Sequence, residues 1–144
     1  MKPDELIKKL DDARIVQAIA EAERKTSGEI RVCISRRRRD DPLGAAQRRF
    51  HKLGMERTRH RNAVLIFFVP LTHQFAIWGD TGVHEKCGMD FWKDVVAQMM
   101  PLLKEGRFTE AIEMAVKNVG DVLVRHFPPE SGNRDELPNR VDKN

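Results

Sequence analysis

Tyrosine is absent from this 144-residue chain, cysteine occurs only twice, and aromatic residues make up 6% of the sequence. Two cysteines, Cys33 within an apolar run and Cys87 well beyond it, are too few for a disulfide scaffold and lack metal-ligand spacing. A reducing cytoplasm is the expected compartment. The longest apolar run, Ala63 to Leu71, is too short to cross a bilayer, and no apolar stretch follows Met1-Lys2-Pro3-Asp4-Glu5. Neither export nor a transmembrane segment is expected. There is no EF-hand loop, P-loop, GxSxG elbow or HExxH pair, and no internal repeat.

What is present is a length suited to one domain with a real core, and a net charge of +4 that is unevenly placed. Arg36, Arg37, Arg38 and Arg39 stand in tandem, with further Arg, Lys and His from Arg48 to Arg61. Such a strip can be a solvated face or can meet an acidic protein, phosphates or acidic lipid. Without basic-aromatic alternation or a base-reading element, nucleic acid ranks last among these partners.

Hydrophobic spacing divides the chain further. Residues 1–10 read as a lead-in. Asp11 or Asp12 caps a helix to about Lys25 with Ile15, Ile19 and Ala22 on one stripe, and Ser27-Gly28 stops it. Glu29 to Ser35 alternates as a strand whose second face, Arg31, Cys33 and Ser35, is less apolar. Asp41-Pro42 opens a helix to about Met55 that carries the basic face. Ala63 to Val69 is apolar on both faces, as a central strand is, and Pro70 to His73 turns it into a third strand, Gln74 to Trp78. Asp90 caps a helix containing Pro101 and ending at Gly106, and Thr109 caps a last helix closed by Pro128-Pro129. A single domain over 11–128 follows, with 129–144 a polar tail that is ordered only if Leu137 and Pro138 dock.

A helix between the first two strands makes them parallel, joined by a right-handed crossover, and the hairpin makes the third antiparallel. The start of strand one, the start of strand two and the end of strand three then share one edge. That edge collects Ser27, Glu29, Thr58, Arg61, Asn62, Asp80, Thr81, Gly82 and Glu85. Glu29, Asp80 and Glu85 are candidate oxygen ligands for a hard cation such as calcium, with Ser27, Thr58, Asn62 and Thr81 as neutral partners and glycines allowing close backbone approach. The alternative for Asp80 is a turn-forming aspartate, and for Glu29 a surface ion pair. Cys33 reads as a buried inert thiol, and His84 as a surface histidine. The opposite end competes, because α/β proteins bind ligands beyond the carboxyl ends of their parallel strands; there Arg36 to Arg39 with His73 suit an anion.

The words Thr26-Ser27-Gly28-Glu29-Ile30-Arg31-Val32, Thr58 with Arg61-Asn62-Ala63-Val64-Leu65-Ile66, Phe75-Ala76-Ile77 with Gly79-Asp80-Thr81-Gly82-Val83, Phe91-Trp92 and Gly106-Arg107-Phe108 resemble the TPM domain family, in particular its cytoplasmic-type bacterial members. The resemblance spans about Asp11 to Phe127. It implies an α/β/α sandwich with a small mixed sheet of three or four strands flanked by about four helices. It also implies the family's range of activities: an acid phosphatase label for a plant thylakoid member, receptor accessory roles, and calcium binding. Exported members carry paired aspartates after the hairpin, where this chain has only Asp80. On these grounds one expectation is calcium held at the polar edge, with catalytic roles for Asp80 and Arg61: metal polarises a phosphomonoester, Arg61 offsets its charge and a bound water attacks. The other is a non-enzymatic module that docks an acidic protein on Arg36 to Arg39 and the second helix.

Overall fold

The computed structural model describes residues 3–88, 90–130 and 140–144. The chain opens with a short helix, α1 (Pro3–Lys9), where the sequence suggested a lead-in; Leu6, Ile7 and Leu10 bury there and convert it into part of the core. Helix α2 (Asp12–Glu23) is capped by Asp11, whose carboxylate accepts from the Arg14 N–H at 3.1 Å. Strand β1 (Glu29–Ile34) follows, then α3 (Pro42–Lys52), with Asp41 as N-cap and Pro42 in its first turn. Strands β2 (Ala63–Val69) and β3 (Gln74–Gly79) are joined by a 3₁₀ turn at Pro70–Thr72 and by His73 at φ +51°.

Beyond β3 the chain makes helix α4 (Thr81–Cys87), where a loop was expected. Its turn is too short for a periodic signal, and the Asp80-Thr81 start was its one visible cue. Helix α5 (Asp90–Lys104) runs through Pro101, and Gly106 at φ +75° closes it, donating to Leu103 O at 3.0 Å while Arg107 N–H reaches Leu102 O at 2.9 Å. Helix α6 (Phe108–His126) starts one residue before Thr109, which therefore is not its cap; the Thr109 hydroxyl instead accepts from the Asp11 N–H at 3.3 Å.

The sheet order is β3-β2-β1-β4, where β4 is Asp142–Lys143. Strands β1 and β2 run parallel in the register Glu29↔Ala63 to Ile34↔Phe68, and β3 runs antiparallel to β2 with Val64 opposite Gly79. Where a polar tail was expected, β4 pairs in parallel with the end of β1, Cys33 opposite Asp142. Val141 packs against the core beside it, and ion pairs add to the attachment. Arg49 grips Asp142 with Nε and Nη2 at 2.9 and 3.0 Å, and Lys143 Nζ reaches Asp12 Oδ2 at 2.6 Å. Leu137 and Pro138, the residues expected to dock the tail, lie outside the described residues.

Period-two alternation then sends side chains to two cores. Ile30, Val32, Ile34, Val64, Ile66, Phe68, Phe75 and Ile77 face α2, α5 and α6, and Cys33, Leu65, Phe67, Val69 and Ala76 face Ala45, Ala46 and Phe50 of α3. The result is an α/β/α sandwich with six helices and a mixed sheet among the described residues. All six β1 residues are buried, including Arg31. The less apolar face of β1 is therefore covered too.

Candidate functional site

The polar edge assembles from three chain segments. Asp80 N–H donates to Ala63 O at 2.9 Å and Glu29 N–H to Asn62 O at 3.4 Å, so the backbone itself ties the end of β3 and the starts of β1 and β2 together. Within this frame the side chains bind one another. Asn62 Nδ2 donates to Ser27 Oγ at 3.4 Å, and the Asn62 N–H donates to Thr58 Oγ1 at 3.3 Å. Thr26 donates its hydroxyl to Phe127 O and accepts from the Gly28 N–H, which anchors the edge to the end of α6. Thr26, Ser27, Glu29, Thr58, Asn62 and Asp80 are all buried.

Asp80 is fully engaged. Its Oδ2 accepts from Arg61 Nε at 2.6 Å, and its Oδ1 from Arg61 Nη2 and the Thr81 N–H, both at 2.8 Å. The bidentate pair raises the Arg61 guanidinium above its ordinary pKa, chiefly through the hydrogen bonds it donates to Asp80. Arg61 itself sits at φ +51°, and its carbonyl accepts from the Gly82 N–H at 2.9 Å. Only glycine fits at position 82: a Cβ there would lie 2.6 Å from His60 O and 2.7 Å from Arg61 O.

The expected cation ligands do not converge. Glu29 and Asp80 are buried, whereas Glu85 lies on the exposed side of α4. No group of three or more His, Cys, Asp or Glu side chains able to hold a metal occurs among the described residues. With both Asp80 oxygens held by a guanidinium, Glu29, Asp80 and Glu85 do not fit a shared calcium ion. What the edge does chemically is close α4 onto the sheet.

The opposite end differs. A cavity of about 200 Å³ opens beside the carboxyl end of β1, lined by Arg37, Arg39, Ala45, Arg48, Arg49, Lys52 and Asn144. Arg39 is held from the β1 side. Its Nε donates to Ser35 Oγ at 3.0 Å, its guanidinium lies 5.9 Å from the Phe67 ring centre, and Ser35 Oγ in turn donates to Arg37 O at 2.9 Å. Burial first, then the charges of Arg37, Arg48 and Arg49, push the Arg39 pKa down. The hydrogen bonds that Arg49 donates to Asp142 raise its pKa, and it lines the cavity from the position that Asp142 sets. Among the described residues, no Asp or Glu side chain lines the cavity.

Of the four tandem arginines, Arg37 and Arg39 reach this cavity; Arg36 Nη1 instead pairs with Asp4 Oδ1 at 2.6 Å, and Arg38 is exposed. His73, expected to join them, lines a separate groove with Phe75, Trp92 and Met100 beside β3. Arg48, Arg49 and Lys52 complete the cavity from α3, whose basic face was visible in the sequence as residues one and four apart. Asn144 gave no such signal, because its position depends on the β1–β4 pairing, whereas Ser35 is placed by its N–H bond to Phe68 O of β2 at 2.8 Å.

The profile of the TPM domain family matches residues 1–122 of the chain. The chain belongs to the TPM domain family. This TPM domain is similar to the BA42 protein of the psychrophilic bacterium Bizionia argentinensis, solved by NMR, at 33% identity and TM-score 0.85, with 94% of this chain and 96% of that one covered. It also resembles the N-terminal domain of a P. gingivalis protein at 18% identity and TM-score 0.66, covering 85% of this chain and 83% of that one, a likeness of fold. No curated protein matches it. Among the described residues, no helix of this TPM domain is long and apolar enough to cross a membrane.

Proposed function

We propose that this TPM domain is a non-enzymatic interaction module that docks an acidic partner protein on the basic cavity at the carboxyl end of β1. One observation carries the reading: five cationic side chains from the Arg36–Arg39 segment and α3 line a single concavity without a lining carboxylate side chain. Like charges brought together in this way repel, and an anionic surface relieves the repulsion. The sheet also favours this end, since it lies outside the carboxyl ends of parallel strands. Metal-dependent phosphomonoester hydrolysis at the other edge lacks such support, because Asp80 and Arg61 neutralise one another and the carboxylates do not meet.

The test is fluorescence anisotropy of a labelled glutamate-rich peptide against the purified protein over a range of salt. Binding at low ionic strength should weaken steeply as salt rises. A variant with Arg37, Arg48 and Lys52 changed to Gln should lose it, while an Arg107→Gln control, remote from the cavity, keeps it. Salt-insensitive binding, or binding unchanged in the triple variant, would refute the reading.

A further inference from the structure

We infer that the basic cavity is built to take one phosphoryl group, so that the acidic partner is recognised through a phosphorylated side chain; this rests on the docking surface proposed above. Shape comes first. A small open concavity of about 200 Å³ lined by Arg37, Arg39, Arg48, Arg49 and Lys52 brings five cationic side chains around one compact anionic group. A carboxylate brings one charge and two oxygens to these donors. A phosphorylated serine or threonine brings a charge of about −1.5 to −2 and three strongly accepting oxygens, which is the better match to several guanidinium forks.

Preorganisation points the same way. Arg49 gives Nε and Nη2 to Asp142, which fixes the plane of its guanidinium at the cavity wall. Arg39 gives Nε to Ser35 Oγ and rests over Phe67, which fixes a second guanidinium there. Two arginines set in place from different elements form a rigid seat, and less side-chain freedom is lost when an anion arrives. Arg37, Arg48 and Lys52 are exposed at the rim and close over the group from solvent. Among the described residues the lining holds no Asp, Glu, His or Cys side chain to act as base or nucleophile, so the seat is suited to capture the phosphoryl group rather than turn it over.

The experiment compares three labelled peptides of one sequence, carrying phosphoserine, glutamate or serine at the centre, with inorganic phosphate as competitor and vesicles containing acidic lipid as a separate arm. The phosphoserine peptide should bind about tenfold more tightly than the glutamate peptide, and inorganic phosphate should displace it. Arg48→Gln should weaken it by about three- to fivefold, as expected for one exposed charge contact, with thermal unfolding unchanged. Backbone amide shifts should concentrate at residues 35–39 and 45–52. Equal affinity for the phosphoserine and glutamate peptides would overturn the inference and leave the acidic-partner reading standing. No binding of either at low salt would overturn both. Binding to acidic vesicles but not to the phosphoserine peptide would overturn the inference in favour of a membrane surface.

Discussion

Replacing Asp80 separates a structural latch from a metal ligand, because the two roles predict different orders of stability. Asp80 caps α4 through the Thr81 N–H at 2.8 Å, and its backbone carbonyl receives the Val83 and His84 N–H groups at 2.9 and 3.0 Å. Loss of such a cap on mutation to Ala costs about 1 kcal/mol. For a chain of this length that is a fall in Tm of about 2–4 °C. Arg61, whose side chain is 46% exposed, rehydrates when its partner is removed, so no buried charge is stranded. Asn caps a helix about as well as Asp, so Asp80→Asn should keep most of the stability that Asp80→Ala loses. Thermal unfolding by circular dichroism, run once in chelator and once in millimolar calcium, should give wild type above Asn above Ala in both. If Asp80 were instead a calcium ligand, the wild-type advantage would appear only with calcium, through binding to the native state. Wild type and Asp80→Ala unfolding together in chelator would refute the latch.

Three further perturbations probe the frame around the two ends. Gly82→Ala places its Cβ against two backbone carbonyls that cannot retreat, and should cost about 1–3 kcal/mol in urea unfolding; an unchanged midpoint would show that the edge is looser than described. Phe50→Ala empties the fully buried centre of the α3 face and should cost about 3–5 kcal/mol. Burial alone would raise the Asp142 pKa, but hydrogen bonds from Arg49 and the Cys33 thiol, with the charges of Arg49 and Arg31, hold it below its ordinary 3.8. A carboxyl depressed on folding stabilises above its unfolded value and loses that contribution as pH falls through the lower folded one. The stability gap between wild type and Asp142→Asn should therefore be full at pH 6 and shrink as pH drops below 3.8, and a gap that widened in acid would contradict the pairing.

Most of the architecture was legible because its signals are local. The apolar run Ala63–Val69, the alternation of Glu29–Ile34 and the Asp41-Pro42 start each specify an element within their own span, and the crossover rule orders the strands. Three features were not local. Helix α4 is too short to show a period, α1 buries only Leu6, Ile7 and Leu10, and β4 is held by Arg49–Asp142 and Lys143–Asp12 pairs across most of the chain's length. The three polar words were correctly placed at one edge, but their burial was not visible. Glu29 and Asp80 read as candidate cation ligands and Asn62 as a neutral partner of them, yet all three are buried, and backbone bonds such as Asp80 N–H to Ala63 O and Glu29 N–H to Asn62 O tie their segments together.

The two ends of the sheet divide scaffold from surface for an energetic reason. Buried polar groups must find partners, and at the edge of Ser27, Arg61, Asn62 and Asp80 they find them mainly in one another, which locks β1, β2 and α4 into register. Stability accounts for the Asp80–Arg61 and Asn62–Ser27 contacts, while Asn62 Oδ1 is left buried without a hydrogen-bond partner among the described residues. Stability does not explain the arginine end, where Arg39 is partly withdrawn from water beside Arg37, Arg48 and Arg49, and its guanidinium is driven below its ordinary pKa as a result. Like charges gathered there oppose folding, and of them only Arg49 is held by a carboxylate side chain among the described residues, while Arg39 leans on Phe67. In the docking reading proposed above, an anionic partner offsets that repulsion on binding, so the strength of docking should fall as the charges of Arg37, Arg48 and Lys52 are removed.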